Sequence, residues 1–442
     1  MPFRRFSVVR LRRAEEDEIP DEAGYRRQVR DHLTANYIAQ FVHGVFGMTG
    51  FRLILAPTFV PAYLFVLTES VFVVGLGQAL LQMGAVVSPI VGASAVEHRR
   101  RVLPVAISIG WMMRVAILGL GLSGILLEGR WQVLSCLFFL ALFGYYLGAQ
   151  RVAFQMLMAK VIPVERRGGL QAGRNLLGGA VAALLSYYAG REIIERNVLG
   201  NGYAATFLIS FVLTTIGLSV LYVMIREPNA PVVAERQSVL RRIRQFPDLL
   251  RHRSFRFFVS AQMLLTNGRV AMPFATIYAA EVVELDGTTL GLLSLVFLGS
   301  DTLANLVWGR IGDKRGYRAV MIGTGLLWTL GMALILSAGE VWQVLLAFAA
   351  FGAGMSGFMI GAPSLALEFG SAREVPMRLA LSTSAETSMA AIGPLLFGGV
   401  AAMAGLTFVF VLTAMATGAA LVVLLRCVEE PRAAAPHAGR RP

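Results

Sequence analysis

Trp308-Gly309-Arg310-Ile311-Gly312-Asp313-Lys314-Arg315-Gly316-Tyr317-Arg318 packs one acid, four bases and three glycines between two long apolar runs. A polar knot with membrane-length segments on both sides reads as a tight turn at a membrane surface. Outward from it, similar apolar runs recur along the whole chain. Of the 442 residues, 56% are hydrophobic and 15% charged, whereas soluble domains carry about 25% charged residues. A bilayer core takes about 20 mostly apolar residues per helix. Twelve such segments are expected, at 36–66, 71–95, 102–128, 132–159, 168–190, 203–225, 256–280, 289–308, 318–338, 341–366, 378–403 and 405–426. The compressed joint near Met403 leaves ten or eleven spans open. Barrel strands of about ten alternating residues do not give apolar runs of this length, so the expected class is an all-α polytopic membrane protein.

The net charge of +13 follows this topology. Among the 40 Lys and Arg, only Arg130, Arg191 and Arg196 fall on one side of the expected membrane. Arg52, Arg114, Arg151 and Arg269 lie inside spans, and all the others crowd the opposite side. The positive-inside rule then puts both termini in the cytoplasm, and a nucleic-acid role has no support. The polar N-terminal stretch lacks the apolar core of a cleavable signal. Cys136 within a span and Cys427 in the tail differ in expected depth, so no disulfide is expected.

A polar segment from Arg226 to Arg256 divides the chain. It opens with Glu227-Pro228-Asn229-Ala230-Pro231, where the prolines end a helix, and its apolar residues spaced among Arg suit either a headgroup-level helix or a solvated linker. The expected organisation is a cytoplasmic segment 1–35, a six-helix bundle 36–225, a cytoplasmic linker 226–255, a second six-helix bundle 256–426 and a tail 427–442. The bundles read as pseudo-repeats. Gly144, Gly148 and Pro163 recur as Gly357, Gly361 and Pro376, Phe59 and Tyr63 as Phe274 and Tyr278, and Glu97 as Asp313, at nearly one offset. Parallel repeats of this kind occur in secondary transporters with a substrate site between halves.

The stretch 309–318 resembles the signature loop of the major facilitator superfamily: Gly309, Gly312, Asp313, Lys314, Gly316 and Arg318 match, and Tyr317 replaces a frequent base. Its place after the eighth span is that of the family's second copy. The first copy, around Glu97-His98-Arg99-Arg100-Arg101, keeps acid and bases but lacks the glycines, and Val161 to Gly168 is similar to the family's loop between spans 4 and 5. The resemblance implies alternating access in a twelve-helix fold, with Asp313 as a cytoplasmic latch on span 11 near Arg378 or Arg373. The antiporter signature of span 4 is not recognisable around Arg151.

An ionisable side chain at mid-bilayer is a functional candidate by its cost. Arg52, Arg114, Arg269 and Asp301 are expected near the midplane, with Arg151 and Glu386 nearer the cytoplasm. A guanidinium fork suits a carboxylate or phosphate, so Arg52, Arg114 and Arg269, with Gln78 and Gln82, are the expected contacts for an anionic group. Asp301 and Glu386 are the expected proton carriers, against a static reading such as an Arg269–Asp301 pair. His43 is expected to donate between helices rather than carry protons.

No phosphate-cradling loop or metal spacing is found, and no cofactor or enzymatic activity is expected. The expected protein is a monomeric secondary transporter of the plasma (inner) membrane. It would couple protons to a small organic solute bearing an anionic group, with export as the expected direction. Proton symport of an organic anion is one alternative, and a non-transporting membrane sensor or assembly factor another.

Overall fold

The computed structural model describes residues 21–96, 99–229, 246–369 and 375–431. Glu97, Arg373, most of the linker and the outer ends of both terminal segments lie outside them. The elements in chain order are α1 (Glu22–Asp31), α2 (Leu33–Leu55), α3 (Phe59–Thr68), α4 (Val71–Val96), α5 (Leu103–Leu126), α6 (Gly129–Val161), α7 (Val164–Tyr188), α8 (Gly202–Met224), α9 (Phe246–Leu249), α10 (Arg253–Ala279), α11 (Gly287–Arg315), α12 (Tyr317–Leu336), α13 (Val341–Glu368), α14 (Val375–Ala404) and α15 (Leu406–Arg426). No strand occurs among the described residues.

Among the described residues, ten helices, counting α2 and α3 as one, are long and apolar enough to cross a membrane. Helices α7 and α10 match them in length, at 25 and 27 residues, but are more polar. Arg174 and Asn175 interrupt α7, and Gln262, Asn267 and Arg269 interrupt α10.

Local chemistry sets the breaks. The expected first span divides at Pro57, because the residue before a proline is pushed out of the α region; Ala56 is extended, with ψ at 144°. Gly316 (φ +85°) is the single residue between α11 and α12, and Gly405 (φ +88°) between α14 and α15. Only glycine takes such angles without strain, so the compressed joint near Met403 is two helices meeting at one residue. The eighth span was expected to end at 308, but α11 continues to Arg315. Nothing before Gly316 breaks a helix, and Lys314 and Arg315 in the last turn favour its negative end. Most of the polar knot is therefore helical and only Gly316 is the turn. A further helix, α1, forms where only a polar segment was expected, its N-terminus capped by Asp21 accepting from Gly24 N at 2.8 Å.

The packing has an internal symmetry. Helices α2 and α8, α4 and α6, α5 and α6, and α5 and α8 pair in the first group. The second group repeats this as α10 with α15, α11 with α13, α12 with α13, and α12 with α15. Lipid tails give no hydrophobic drive for helix association, so close van der Waals approach takes its place. A Cβ on Gly144 of α6 would lie 1.9 Å from Leu81 O of α4. Outward faces carry exposed apolar side chains such as Val115, Leu126, Leu303, Leu330 and Met415.

The two groups meet through α4 with α14 and α7 with α11. At the end away from the polar loops, Thr58 and Ser294 share a hydrogen bond of 2.6 Å, Thr276 donates to Pro57 O at 2.5 Å, and Thr288 N donates to Glu195 at 3.2 Å. A Cβ on Gly190 would lie 2.3 Å from Gly287 O, and one on Gly75 would lie 2.4 Å from Pro394 O. This distal end is closed.

Candidate functional site

Midway along the helices, on the inner side of that closure, two arginine–carboxylate pairs form. Arg52 of α2 reaches across to Asp301 of α11 at 2.7 Å, and its Nη1 also donates to Thr302 Oγ1 at 3.2 Å. Thr302 and Asp301 are neighbours on α11, so one guanidinium fork engages both. Both charged side chains are largely covered, at 19% and 12% exposure. The pair therefore ties the two groups of helices together. The alternative static reading offered an Arg269–Asp301 pair; in the structure Arg269 pairs instead with Glu386 of α14 at 2.9 Å.

The second pair is embedded in a polar relay. Gln262 Nε2 donates to Glu386 Oε2 at 3.2 Å, and Ser382 Oγ donates to Gln262 Oε1 at 2.6 Å. Gln262 was not singled out from the sequence. Its signal was available, because it lies two helical turns before Arg269 and so shares a face of α10. The Arg269 guanidinium also sits 6.0 Å from the Phe358 ring centroid.

Arg151 of α6 has an exposed side chain within the electrostatic reach of Arg269 and Glu386 from the other group. It therefore points into the space between the groups. Thr383, Ser384 and Ser388 of α14 are exposed as well. With three guanidiniums to two carboxylates, the site keeps one positive charge after pairing, and both acids are already clamped by bases.

Other expected site residues lie elsewhere. Arg114 is fully buried between α5 and α8, where Nε and Nη2 donate to Thr214 O at 2.8 and 2.6 Å and Nη1 donates to Gly110 O at 2.7 Å. Its fork is spent on helix carbonyls, so the structure corrects its expected role as a substrate contact. Gln78 is buried and Gln82 half-buried on α4, and among the described residues neither makes a hydrogen bond. His43 was expected to donate between helices. Instead both ring nitrogens are buried without partners, and the ring stacks on Phe154 at 4.7 Å.

In the polar knot, Gly309 has open space around it, and Gly312 lies against the Tyr317 ring. Arg318 caps the end of α15, donating to Leu424 O and Leu425 O at 2.9 Å each. Arg378 is buried with its guanidinium 4.9 Å from the Phe255 ring centroid. Asp313 lies in the last turn of α11, while Glu97 is outside the described residues.

Glu227, read from sequence only as the approach to a helix-ending proline, is buried at the start of α5. It accepts from Val102 N at 2.7 and 2.9 Å and from Leu103 N at 2.7 Å, and Lys160 Nζ lies 3.5 Å away. Burial and then the Glu227 charge push the Tyr25 phenol above its usual range, and its hydroxyl donates to Lys160 O at 3.0 Å, docking α1.

A pseudo-symmetric helical membrane protein with two arginine–carboxylate pairs midway along its helices, one of them across its two groups, is the class this architecture defines. Residues 257–442 match the model described as Major Facilitator Superfamily. The chain is similar to the multidrug resistance protein MdtG of Proteus mirabilis (strain HI4320), at 33% identity over 170 residues, which is 36% of this chain and 40% of that protein. It is similar to MdtG of Dickeya zeae (strain Ech586) at 33% over 165 residues, 36% of this chain and 38% of that protein. The chain thus spans about 40% of the length of the curated relatives it matches. Among solved structures, a mutant of the nucleoside transporter NupG superposes with a TM-score of 0.72 at 12% identity, covering 89% of this chain and 100% of that one. The D-xylose-proton symporter superposes with a TM-score of 0.69 at 14% identity, covering 91% and 99%. Residues 257–442 thus carry a similarity to the major facilitator superfamily, and the long apolar helices make the chain a multi-pass membrane protein.

Proposed function

We propose that this protein is a proton-coupled secondary transporter that exports a small organic solute carrying an anionic group. Twelve spans in two six-helix bundles, 36–225 and 256–426, would rock about the paired charges, with both termini in the cytoplasm by the charge bias of the loops. In that orientation the closed distal end is periplasmic and the structure is inward-facing.

The observation that carries the reading is the Arg52–Asp301 pair across the two groups. It holds the periplasmic end shut while Asp301 is ionised. A proton on Asp301 removes the pair, and so does a cargo carboxylate or phosphate that takes Arg52 instead. Proton and anionic cargo then compete for one closed state, which is the requirement for exchange. Arg269 and Glu386, relayed through Gln262, make a second pair within the second group, and Arg151 supplies the unmatched charge that draws an anion. Gln78 and Gln82 would line the α4 side. Gly309, Gly312, Asp313, Lys314, Gly316 and Arg318, with Glu97 and Arg378, would form the cytoplasmic gate. The multidrug resistance proteins among the relatives support export.

The test is purified protein in liposomes with an imposed pH gradient and a panel of organic anions, cations and neutral drugs. Proton-driven movement of anionic members, abolished by Asp301→Asn, is expected. Movement of cations alone would overturn the substrate class, and movement of nothing would favour a sensor.

A further inference from the structure

Away from the paired charges, the first group of helices encloses a second polar cluster for which it has no acid. On α2, Gln40 and His43 are 1% and 5% exposed, and Gln40 Nε2 and both His43 ring nitrogens are buried without partners. Arg174 of α7 lies directly over this stripe: a Cβ on Gly44 would fall 1.7 Å from its Nε, which is itself buried without a partner. Residues four apart on a helix share a face, so Gln40 and Gly44 present the amide and the guanidinium to the same space. Helix α6 forms the opposite wall, with Phe154 stacked on His43 and Met158 Sδ 4.0 Å from Arg174 Nη1. His43 lies within the electrostatic field of both Arg174 and Arg114.

The chemistry of this cluster is one-sided. Gln40 Nε2, Arg174 Nε and one His43 N–H are donors that need an acceptor. No carboxylate among the described residues pairs with Arg174 or Arg114. A buried charge without a counter-charge is expensive, as is a buried donor without an acceptor, and a single small anion relieves both. We propose that Gln40, His43 and Arg174 bind a small inorganic anion of chloride size between α2, α6 and α7. The enclosure by Phe154 and Met158 and the burial of Gln40 and His43 keep larger organic anions out. This site is distinct from the Arg52–Asp301 and Arg269–Glu386 pairs. Its occupancy stabilises the first group of helices whichever cargo the protein takes.

The experiment is thermal unfolding of the full chain in nanodiscs at constant ionic strength, with chloride or bromide replacing gluconate, together with anomalous diffraction from bromide-soaked crystals. A rise of several degrees in Tm with halide is expected, along with a bromide peak beside Arg174. Two variants separate the site from general folding. Arg174→Gln removes the charge, and Gly44→Ala displaces the guanidinium while keeping every donor. Both should unfold at a Tm that no longer responds to halide. A halide-independent Tm in the wild type, with no bromide peak and water filling the space, would overturn the proposal, as would variants that keep the full halide response. Transport is not read, so failure here leaves the proposed function standing.

Discussion

Asp301→Asn isolates the Arg52–Asp301 contact across the two groups, the proposed tie on the distal closure. Asparagine keeps the shape and one acceptor but removes the charge opposite Arg52 at 2.7 Å. Deleting one partner of a buried ion pair costs about 3–5 kcal/mol. Here that figure is reduced, because the two side chains are 19% and 12% exposed and Arg52 keeps its hydrogen bond to Thr302. About 2–3 kcal/mol remains, which at 1.4 kcal/mol per tenfold is a shift of about 30- to 140-fold toward the distal-open state. The neutral links at the same end, Thr58–Ser294 and Thr276 to Pro57 O, are each worth about 0.5–1.5 kcal/mol. The charged pair is thus comparable to those links combined, and its loss should be visible. Spin labels at Glu128→Cys and Gly339→Cys, in a Cys136→Ser, Cys427→Ser background, report the distal separation by double electron–electron resonance. In the otherwise wild-type protein, acid should lengthen this distance, since protonating Asp301 breaks the same pair. In Asp301→Asn the long distance should dominate at every pH. An unchanged short distance in the variant, with proton-driven transport intact, would refute the coupling role and leave Asp301 as a static brace.

Glu386→Gln removes the charge from the Arg269–Gln262–Ser382 relay and should lower gradient-driven transport about 10- to 150-fold, the value of a charge-assisted hydrogen bond. Substrate counterflow without a gradient should survive, and a parallel loss of both would point to misassembly instead. Gly190→Ala places a methyl 2.3 Å from Gly287 O and 2.5 Å from Gly291 Cα, where backbone cannot yield cheaply. Overpacking of about 1–3 kcal/mol should then open the distal end in the same spin-label assay at neutral pH. Arg114→Met should lower Tm by several degrees in nanodisc unfolding while leaving KM unchanged, because its donors serve Thr214 O and Gly110 O; a tenfold rise in KM would return Arg114 to the substrate. Glu227→Ala strips the cap from α5, a loss of about 0.5–2 kcal/mol, and hydrogen exchange at Val102 and Leu103 should accelerate while the start of α12 is unaffected.

The helices were legible because apolar runs of membrane length have few alternative folds, and Gly316 was legible as a turn because its neighbours were charged. The end of α11 was not, since Asp313, Lys314 and Arg315 are good helix residues and the last two suit a helix C-terminus. Sequence singled out Arg52, Arg269, Asp301 and Glu386 because an ionisable side chain inside a span is costly. It mispaired them because pairing depends on which face each helix turns toward a neighbour nearly 250 positions away. Each step along a helix rotates the face by about 100°, and no periodicity in an all-round apolar helix reports that rotation. Arg114 shows the same limit: a mid-membrane guanidinium looks alike from sequence whether it meets a cavity or a neighbour's carbonyls.

The two cytoplasmic-type loops also change meaning once their anchors are seen. By sequence, the loop around residues 97–101 is a degraded copy of 309–318 and so the weaker element. In the fold, the acid at the head of α5 comes from Glu227, beyond the last helix of the first group. Glu430, beyond the last helix of the second group, lies beside the head of α12 as well, since a Cβ on Gly316 would fall 2.3 Å from its Oε1. Each acid is followed by a proline, Pro228 and Pro431. Lys160 adds a further tie in the first group, donating to Arg99 O and Arg100 O at 3.2 and 2.9 Å while facing Glu227. The ends of α6 and α8 therefore hold the α4–α5 loop by its backbone, whatever its side chains are. Glycines could be lost there without loosening the helix that follows, so a degraded motif does not imply a weaker joint. The first group of helices is thus tied to itself at this end, which is what the proposed rocking about the Arg52–Asp301 contact would require of it.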